Sequence, residues 1–243
     1  EISWSNEQLK INGKRKKSIG KTPIPDNVLI YYSGHNAKVT ELVQAYEESF
    51  KKKIKKADVK DTRKFIGVGK NYKQLLLAVL LLQDDDNKAK DFICKKLGIT
   101  SIENVVKIVL KRPFYAKSND YNIINNDESD RFWKPEGITK EFLNKLFICI
   151  ADNSKGPIRK EGYFKDEDEY IYYFDIKAIQ KEFYDFSSQK LFRQFDNLKT
   201  IEMLGDISVG IKLEDGKEAS INYFSDGQLQ SVYIYSIIEL FKD

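Results

Sequence analysis

One observation predicts a mixed α and β chain, and two more bound its size and setting. Segments with helical apolar spacing alternate with short β-branched and aromatic runs along the sequence. Apolar residues make up 41% and aromatic residues 13% of the 243 residues, enough to pack one large or two small domains. The longest apolar run, residues 75–82, is under half of a bilayer span, and no signal-like apolar segment opens the sequence. These features exclude a disordered, fibrous or helical membrane-spanning chain and lead to the expectation of a soluble, cytoplasmic protein with no membrane partner.

The first predicted element is a strand over residues 28–32, following Pro23 and Pro25; its continuous apolarity suggests cover on both faces. Ser33, Gly34, His35 and Asn36 end it, placing small residues at a carboxyl edge of the kind where α/β folds bind ligands. A helix over 39–56 follows, with Leu42, Val43, Tyr46 and Phe50 at helical spacing. Residues 71–83 are apolar nearly all round and predict a buried helix, with a turn at Asp84, Asp85, Asp86 and Asn87. The next helix, 87–97, is expected to stop at Gly98. Residues 104–110 read as a strand ending before Pro113, and 119–135 as a polar loop or mobile connection.

Thr139 is the expected N-cap of a helix bearing Phe142, Leu143, Leu146, Phe147 and Ile150, closed by Lys155, Gly156 and Pro157. A strand is predicted over 170–176 and a long helix, whole or broken, over 179–198. The last region is the most legible. Alternating strands at 207–213 and 219–224 flank Asp215-Gly216, a strong hairpin signal, and an apolar-striped helix follows with Leu229, Val232, Tyr233, Ile237, Leu240 and Phe241.

With 41 basic and 37 acidic residues the charge is nearly balanced, so composition alone does not point to nucleic acid. The basic runs 14–17 and 51–56 could touch phosphates, but solvated faces carry such runs as well. Cys94 and Cys149 sit in apolar surroundings and read as buried free thiols. Gly67-Val68-Gly69-Lys70 could wrap a phosphate or simply turn. Residues 84–86 and 166–169 offer carboxylates to a metal, and acidic loops do the same. His35 could sense a nucleotide or merely pack, and no Ser-His-Asp or Cys-His set can be assembled.

The sharpest pattern is Phe224-Ser225-Asp226-Gly227-Gln228 between the hairpin and the last helix. Ser225 and Gln228 match a capping box, each side chain satisfying the other's backbone N–H. A box does not explain Gly227, which weakens a first helical turn by about 1 kcal/mol relative to alanine. A ligand in close approach does, because unpaired N–H groups and the positive end of the helix dipole favour a phosphate there.

In that context the five residues resemble the signature motif of ABC-type ATPases, commonly Leu-Ser-Gly-Gly-Gln. The Ser-Asp-Gly form is similar to the RecF-like and SMC-like branch, which includes AAA-type ATPases of bacterial restriction and anti-phage defence systems. Residues 27–34 and the apolar helix near 71–82 resemble the middle region of the restriction-associated members more diffusely. The resemblance implies a fragment with a helical lobe and a β-hairpin leading into the signature helix. It further implies ATP with Mg²⁺ at a head-to-tail interface, where the signature of one head meets the γ-phosphate held by the Walker A loop of the other. On that basis Ser225 would offer its hydroxyl, Gly227 its backbone N–H, Gln228 would lie nearby and Phe224 would pack the turn. The implied partners are a second head, most simply in a homodimer, and a nuclease or other effector subunit, with nucleic acid contact open.

The division that follows places strands of the nucleotide-binding core at 1–36, a helical and mixed lobe or insertion at 37–200, and the hairpin with the signature helix at 201–243. No Walker A loop is present: Gly20-Lys21-Thr22 has Arg15 where the first glycine belongs and no apolar strand before it. No Walker B strand follows the motif, so the chain is expected to be an internal piece of a longer ATPase and inactive alone. Two other classes remain open: a protein- or nucleic-acid-binding module in which 225–228 is only a cap, and a Mg²⁺-dependent hydrolase using the acidic clusters.

Overall fold

The computed structural model describes residues 1–22, 28–31, 37–54, 65–118, 121, 131–151, 163–164 and 168–241, and these form a mixed α/β structure. The chain opens with an antiparallel meander of β1 (Ile2–Ser5), β2 (Gln8–Ile11) and β3 (Lys14–Lys16). Both connections are two-residue turns, Asn6-Glu7 and Asn12-Gly13, with φ of 47°, 60°, 49° and 76°. Positive φ at both central residues matches the right-handed twist of the flanking strands. Within the strand region expected at 1–36, only 28–32 is delimited by the sequence pattern, although Asn12-Gly13 is a turn signal visible in the sequence.

β4 (Val28–Tyr31) pairs in parallel with β5 (Phe65–Val68), and α1 (Ala37–Ile54) lies between them in the chain. β4 is half-buried throughout rather than covered on both faces, a correction to its expected inner position. On α1, Phe50 is buried and Val43 and Tyr46 half-buried, with the Tyr46 ring edge-on to Phe65 at 5.1 Å. Leu42 is 72% exposed, against expectation. The face that meets β5 is centred on Val43, Tyr46 and Phe50, and a helix rotates about 100° per residue, which turns Leu42 outward.

A short 3-10 turn, Lys70–Tyr72, leads into α2 (Lys73–Leu81), and residues 75–82 are all buried, as expected. α3 (Lys88–Leu97) is capped by Asn87, whose side chain accepts from the N–H groups of Ala89 and Lys90 at 3.0 Å each, and it ends at Gly98 with φ 66°.

The main sheet has the order β10-β9-β6-β8-β7 and is antiparallel throughout. Its strands are β6 (Ile99–Lys111), β7 (Tyr163–Phe164), β8 (Glu169–Asp175), β9 (Leu204–Leu213) and β10 (Glu218–Ala219). β6 is longer than predicted because register irregularities against β9 interrupt its alternation between Ile102 and Val106. On β8, Tyr170, Tyr172 and Phe174 are buried in alternation with half-buried neighbours. One sheet thus joins strands from either side of residue 200.

α4 (Gly137–Ile148) begins at Glu136, not at the predicted cap Thr139, which lies inside the first turn and is buried. It also stops before Ile150, because residues 149–151 bond to β8: Ala151 N–H donates to Tyr173 at 2.9 Å, and the Cys149 carbonyl accepts from Asp175 at 2.8 Å. The expected closing residues 155–157 lie outside the described residues. Within the expected loop at 119–135, Phe132 and Trp133 are buried in the core, and Phe132 N–H donates to Tyr170 Oη at 3.1 Å. Phe132, Trp133 and Lys134 all have positive φ, at 57°, 57° and 53°, each costing roughly 1–2 kcal/mol that the buried aromatic rings offset.

The helix predicted over 179–198 is broken, into α5 (Ile176–Glu182) and α6 (Ser188–Thr200), with Asp175 and Ser187 as N-caps. The second strand of the final hairpin is short. Residues Ile221–Tyr223 form a 3-10 turn instead, which brings Ile221 and Phe224 to the same core, whereas strand alternation would place them on opposite faces. α7 (Asp226–Phe241) closes the described chain, packing on α2, α3 and α6, with Phe92 and Tyr235 stacked at 3.9 Å. Among the described residues no helix is long and apolar enough to cross a membrane.

The contact between α1 and β5 generates a test. A Cβ on Gly67 would lie 2.5 Å from Val43 Cγ1. Gly67→Ala is expected to lower stability by about 1–3 kcal/mol in urea unfolding, and Val43→Ala in the same chain to recover part of the loss.

Candidate functional site

The chain reaches residues 224–228 through a sheet edge, a tight turn and a buried anchor. Asp215-Gly216 closes the hairpin, with Gly216 at φ 77°. After the 3-10 turn, Phe224 is buried at 6% exposure, its ring edge-on to Tyr223 at 5.9 Å, and its extended backbone delivers Ser225 to the start of α7. Ser225 and Gly227 are exposed and Gln228 is half-buried.

The capping box is formed. Ser225 N–H and Oγ both donate to Gln228 Oε1 at 3.0 Å, Gln228 N–H donates back to Ser225 Oγ at 3.4 Å, and Leu229 N–H donates to the Ser225 carbonyl at 3.0 Å. Among the described residues, the N–H of Gly227 makes no hydrogen bond. Among the described residues a Cβ on Gly227 would meet nothing within 4 Å, so packing against them does not call for glycine there. The result is an exposed helix start with a hydroxyl, a free N–H and open space above it.

The structure also brings the predicted strand at 28–32 to this helix. Tyr31, at the carboxyl end of β4, donates its hydroxyl to Gln230 Oε1, and its ring lies 5.4 Å from that of Tyr233. Sequence spacing could not have found this pair, because 199 residues separate its members. Ser33, Gly34, His35 and Asn36 lie outside the described residues.

Other candidates resolve into structural roles. Gly67 and Val68 belong to β5, Gly67 because α1 packs against it, and the Gly69 carbonyl accepts from Tyr72 N–H at 3.0 Å, which gives the segment a strand-and-turn role. Asp85 pairs with Lys90 at 2.8 Å, and that hydrogen bond holds its carboxyl below the usual range. Asp168 accepts from Arg112 Nε and, at 3.1 Å, from Nη2, while Arg112 Nη1 donates to the Ala116 carbonyl at 2.8 Å. Asp166 lies outside the described residues, and no group of three or more His, Cys, Asp or Glu among the described residues could hold a metal ion. In the run 51–56, Lys51 is engaged by Glu48 and Glu202, at 2.7 and 2.8 Å. Lys14 to Lys16 lie exposed on β3, and Gly20-Lys21-Thr22 follows a polar strand.

Both cysteines are free; Cys149 is buried and Cys94 half-buried. Burial, with the carboxylates of Glu182 and Asp175 adding to it, pushes the Cys149 thiol up to about 11. Burial raises Cys94 as well.

Two outcomes follow. Ser225→Ala removes the acceptor for the Gln228 N–H and is expected to lower stability by about 1 kcal/mol in denaturant titration. In a Cys94→Ser background, Cys149 at pH 8 should react with a thiol reagent about a hundredfold slower than in unfolded chain, because a raised pKa leaves little thiolate, and faster as pH climbs toward 11. No protein-family model, curated protein or solved structure matches the chain.

Proposed function

We propose that residues 224–228 and α7 are the signature turn and signature helix of an ABC-type ATPase of the RecF-like and SMC-like branch. In this reading the chain contributes a half-site for ATP bound at a head-to-tail interface with a second head. The observation that carries it is Gly227, a residue unfavourable in a helix, with, among the described residues, an unbonded N–H and no neighbour that needs the space. An approaching phosphate supplies the missing reason.

The chemistry is electrostatic positioning. Ser225 Oγ exchanges its bond to Gln228 Oε1 for one to a phosphate oxygen, and the Gly227 N–H donates a second, both aided by the helix dipole. Gln228 stays beside the nucleotide, and Phe224, held in the core, keeps the turn in place. Mg²⁺ accompanies the nucleotide, and the reading assigns both to the head that supplies the Walker A loop. The chain alone is expected to bind ATP weakly and hydrolyse none. A role in bacterial defence with a nuclease or other effector subunit rests on the family resemblance alone, and a cytoplasmic location is carried over from the apolar patterning of the sequence.

A second reading is favoured by the reciprocal Ser225–Gln228 bonds: the turn is a helix cap in a protein- or nucleic-acid-binding module. Ser225→Arg in the intact ATPase separates the two. Bulk and charge in the phosphate position should reduce ATP turnover by about a hundredfold or more, with the fold retained by circular dichroism. Undiminished turnover would leave the cap alone.

A further inference from the structure

The net charge of the chain is +4, from 41 basic and 37 acidic residues. Residues 1–22 hold six of those bases, Lys10, Lys14, Arg15, Lys16, Lys17 and Lys21, and two of the acids, Glu1 and Glu7, leaving 35 of each beyond them. The whole excess of positive charge therefore lies in the meander β1–β3 and the turn after it, and the rest of the chain is neutral. Among the described residues, none of the six bases is ion-paired or hydrogen-bonded through its side chain.

The register sorts these residues by face. Trp4 pairs with Leu9 and Leu9 with Lys16; Ile2 pairs with Ile11 and Ile11 with Lys14. Paired residues share a face, so each row begins with an apolar side chain on β1 and ends on a lysine of β3. Trp4 is 69% exposed and Ile2 43%, while Leu9 between the outer strands is buried. Lys14 and Lys16 are about 6.6 Å apart along their strand, close to the spacing of successive phosphates in an extended single strand. Trp4 lies two strands away, roughly 10 Å, which is within reach of a base attached to that backbone.

We infer that this face of the meander binds single-stranded nucleic acid, a base stacking on Trp4 and the backbone running along Lys14 and Lys16. An exposed indole on the same face as unpaired cations is the arrangement sequence-tolerant single-strand binding uses, since every base has a face to stack and every phosphate a charge to neutralise. A duplex keeps its bases stacked on one another, which leaves Trp4 unused. A lipid surface would call for a contiguous apolar face, and here the lysines occupy the other end of each row. This inference is independent of the reading of Ser225 and Gly227.

The test uses the whole chain and a fluorescein-labelled oligothymidylate of about 20 nucleotides, followed by anisotropy and by tryptophan emission. Trp4 is exposed and Trp133 fully buried, so the emission distinguishes them. Binding is expected to weaken with salt and to quench Trp4. Trp4→Ala should abolish the quench while Trp133 still emits, and weaken binding about tenfold; Trp4→Phe should restore most of it. Lys14→Glu with Lys16→Glu should weaken binding further and lower the salt slope by about 1.4. Circular dichroism confirms that each variant is folded; both sites are on the surface. Absence of binding at low salt, binding that neither variant alters, equal affinity for a duplex, or Trp4-dependent binding to phosphatidylserine vesicles without oligonucleotide binding would each overturn the inference.

Discussion

Eight consecutive apolar residues, 75–82, wind into a helix with no polar face, and such a helix has to be covered on every side. Burying a leucine contributes roughly 1.5–3 kcal/mol, so leaving one side of α2 in water would forfeit several such increments. The neighbours of α2 supply the cover: α6 and α7 pack against it, β9 lies against it from the main sheet, and α3 follows after a turn. Its C-terminal end is closed by polar contacts. Gln180 Nε2 donates to the carbonyls of Leu82 and Gln83, and Ser188 Oγ donates to Gln83 Oε1.

The position of α7 follows from that requirement, and the position of the candidate site follows from α7. Leu229, Val232, Tyr233 and Leu240 turn inward, and Glu239 accepts from Asn87 Nδ2 at 2.7 Å, linking the helix to the cap of α3. With its body fixed this way, the helix can present only its first turn and outer side to solvent. Phe224 sets where that turn begins, and Tyr31 ties β4 to the second turn. The backbone amide and hydroxyl at 225–227 are thus held on a rigid element rather than a free loop, as positioning a phosphate demands.

Two features of the surface find no reason among the described residues. Gly227 weakens a helix that otherwise obeys its local rules, and the basic meander concentrates charge that the rest of the chain balances. Where sequence and local physics agree along nearly all of a chain, the exceptions are where function is sought. Both exceptions are exposed, and both suit polyanionic ligands, one through backbone dipoles and the other through side-chain charge and an indole.

The sequence by itself determined the mixed class, the buried helix at 75–82, the Asn87 and Gly98 limits of α3, the helical character of 179–198, the Asp215-Gly216 hairpin and the Ser225–Gln228 box. Each of these depends on interactions within a few residues, so spacing and turn chemistry report them directly. Tertiary structure alone decided that Leu42 faces solvent, that α4 ends where residues 149–151 join β8, that Phe132 and Trp133 enter the core, and that residues 221–223 coil rather than extend. It also decided that Gly67 answers to Val43, that Asp168 belongs to Arg112, and that Tyr31 meets Gln230. These outcomes turn on partners tens to hundreds of residues away, whose approach is set by packing the whole core, and no local pattern encodes that distance.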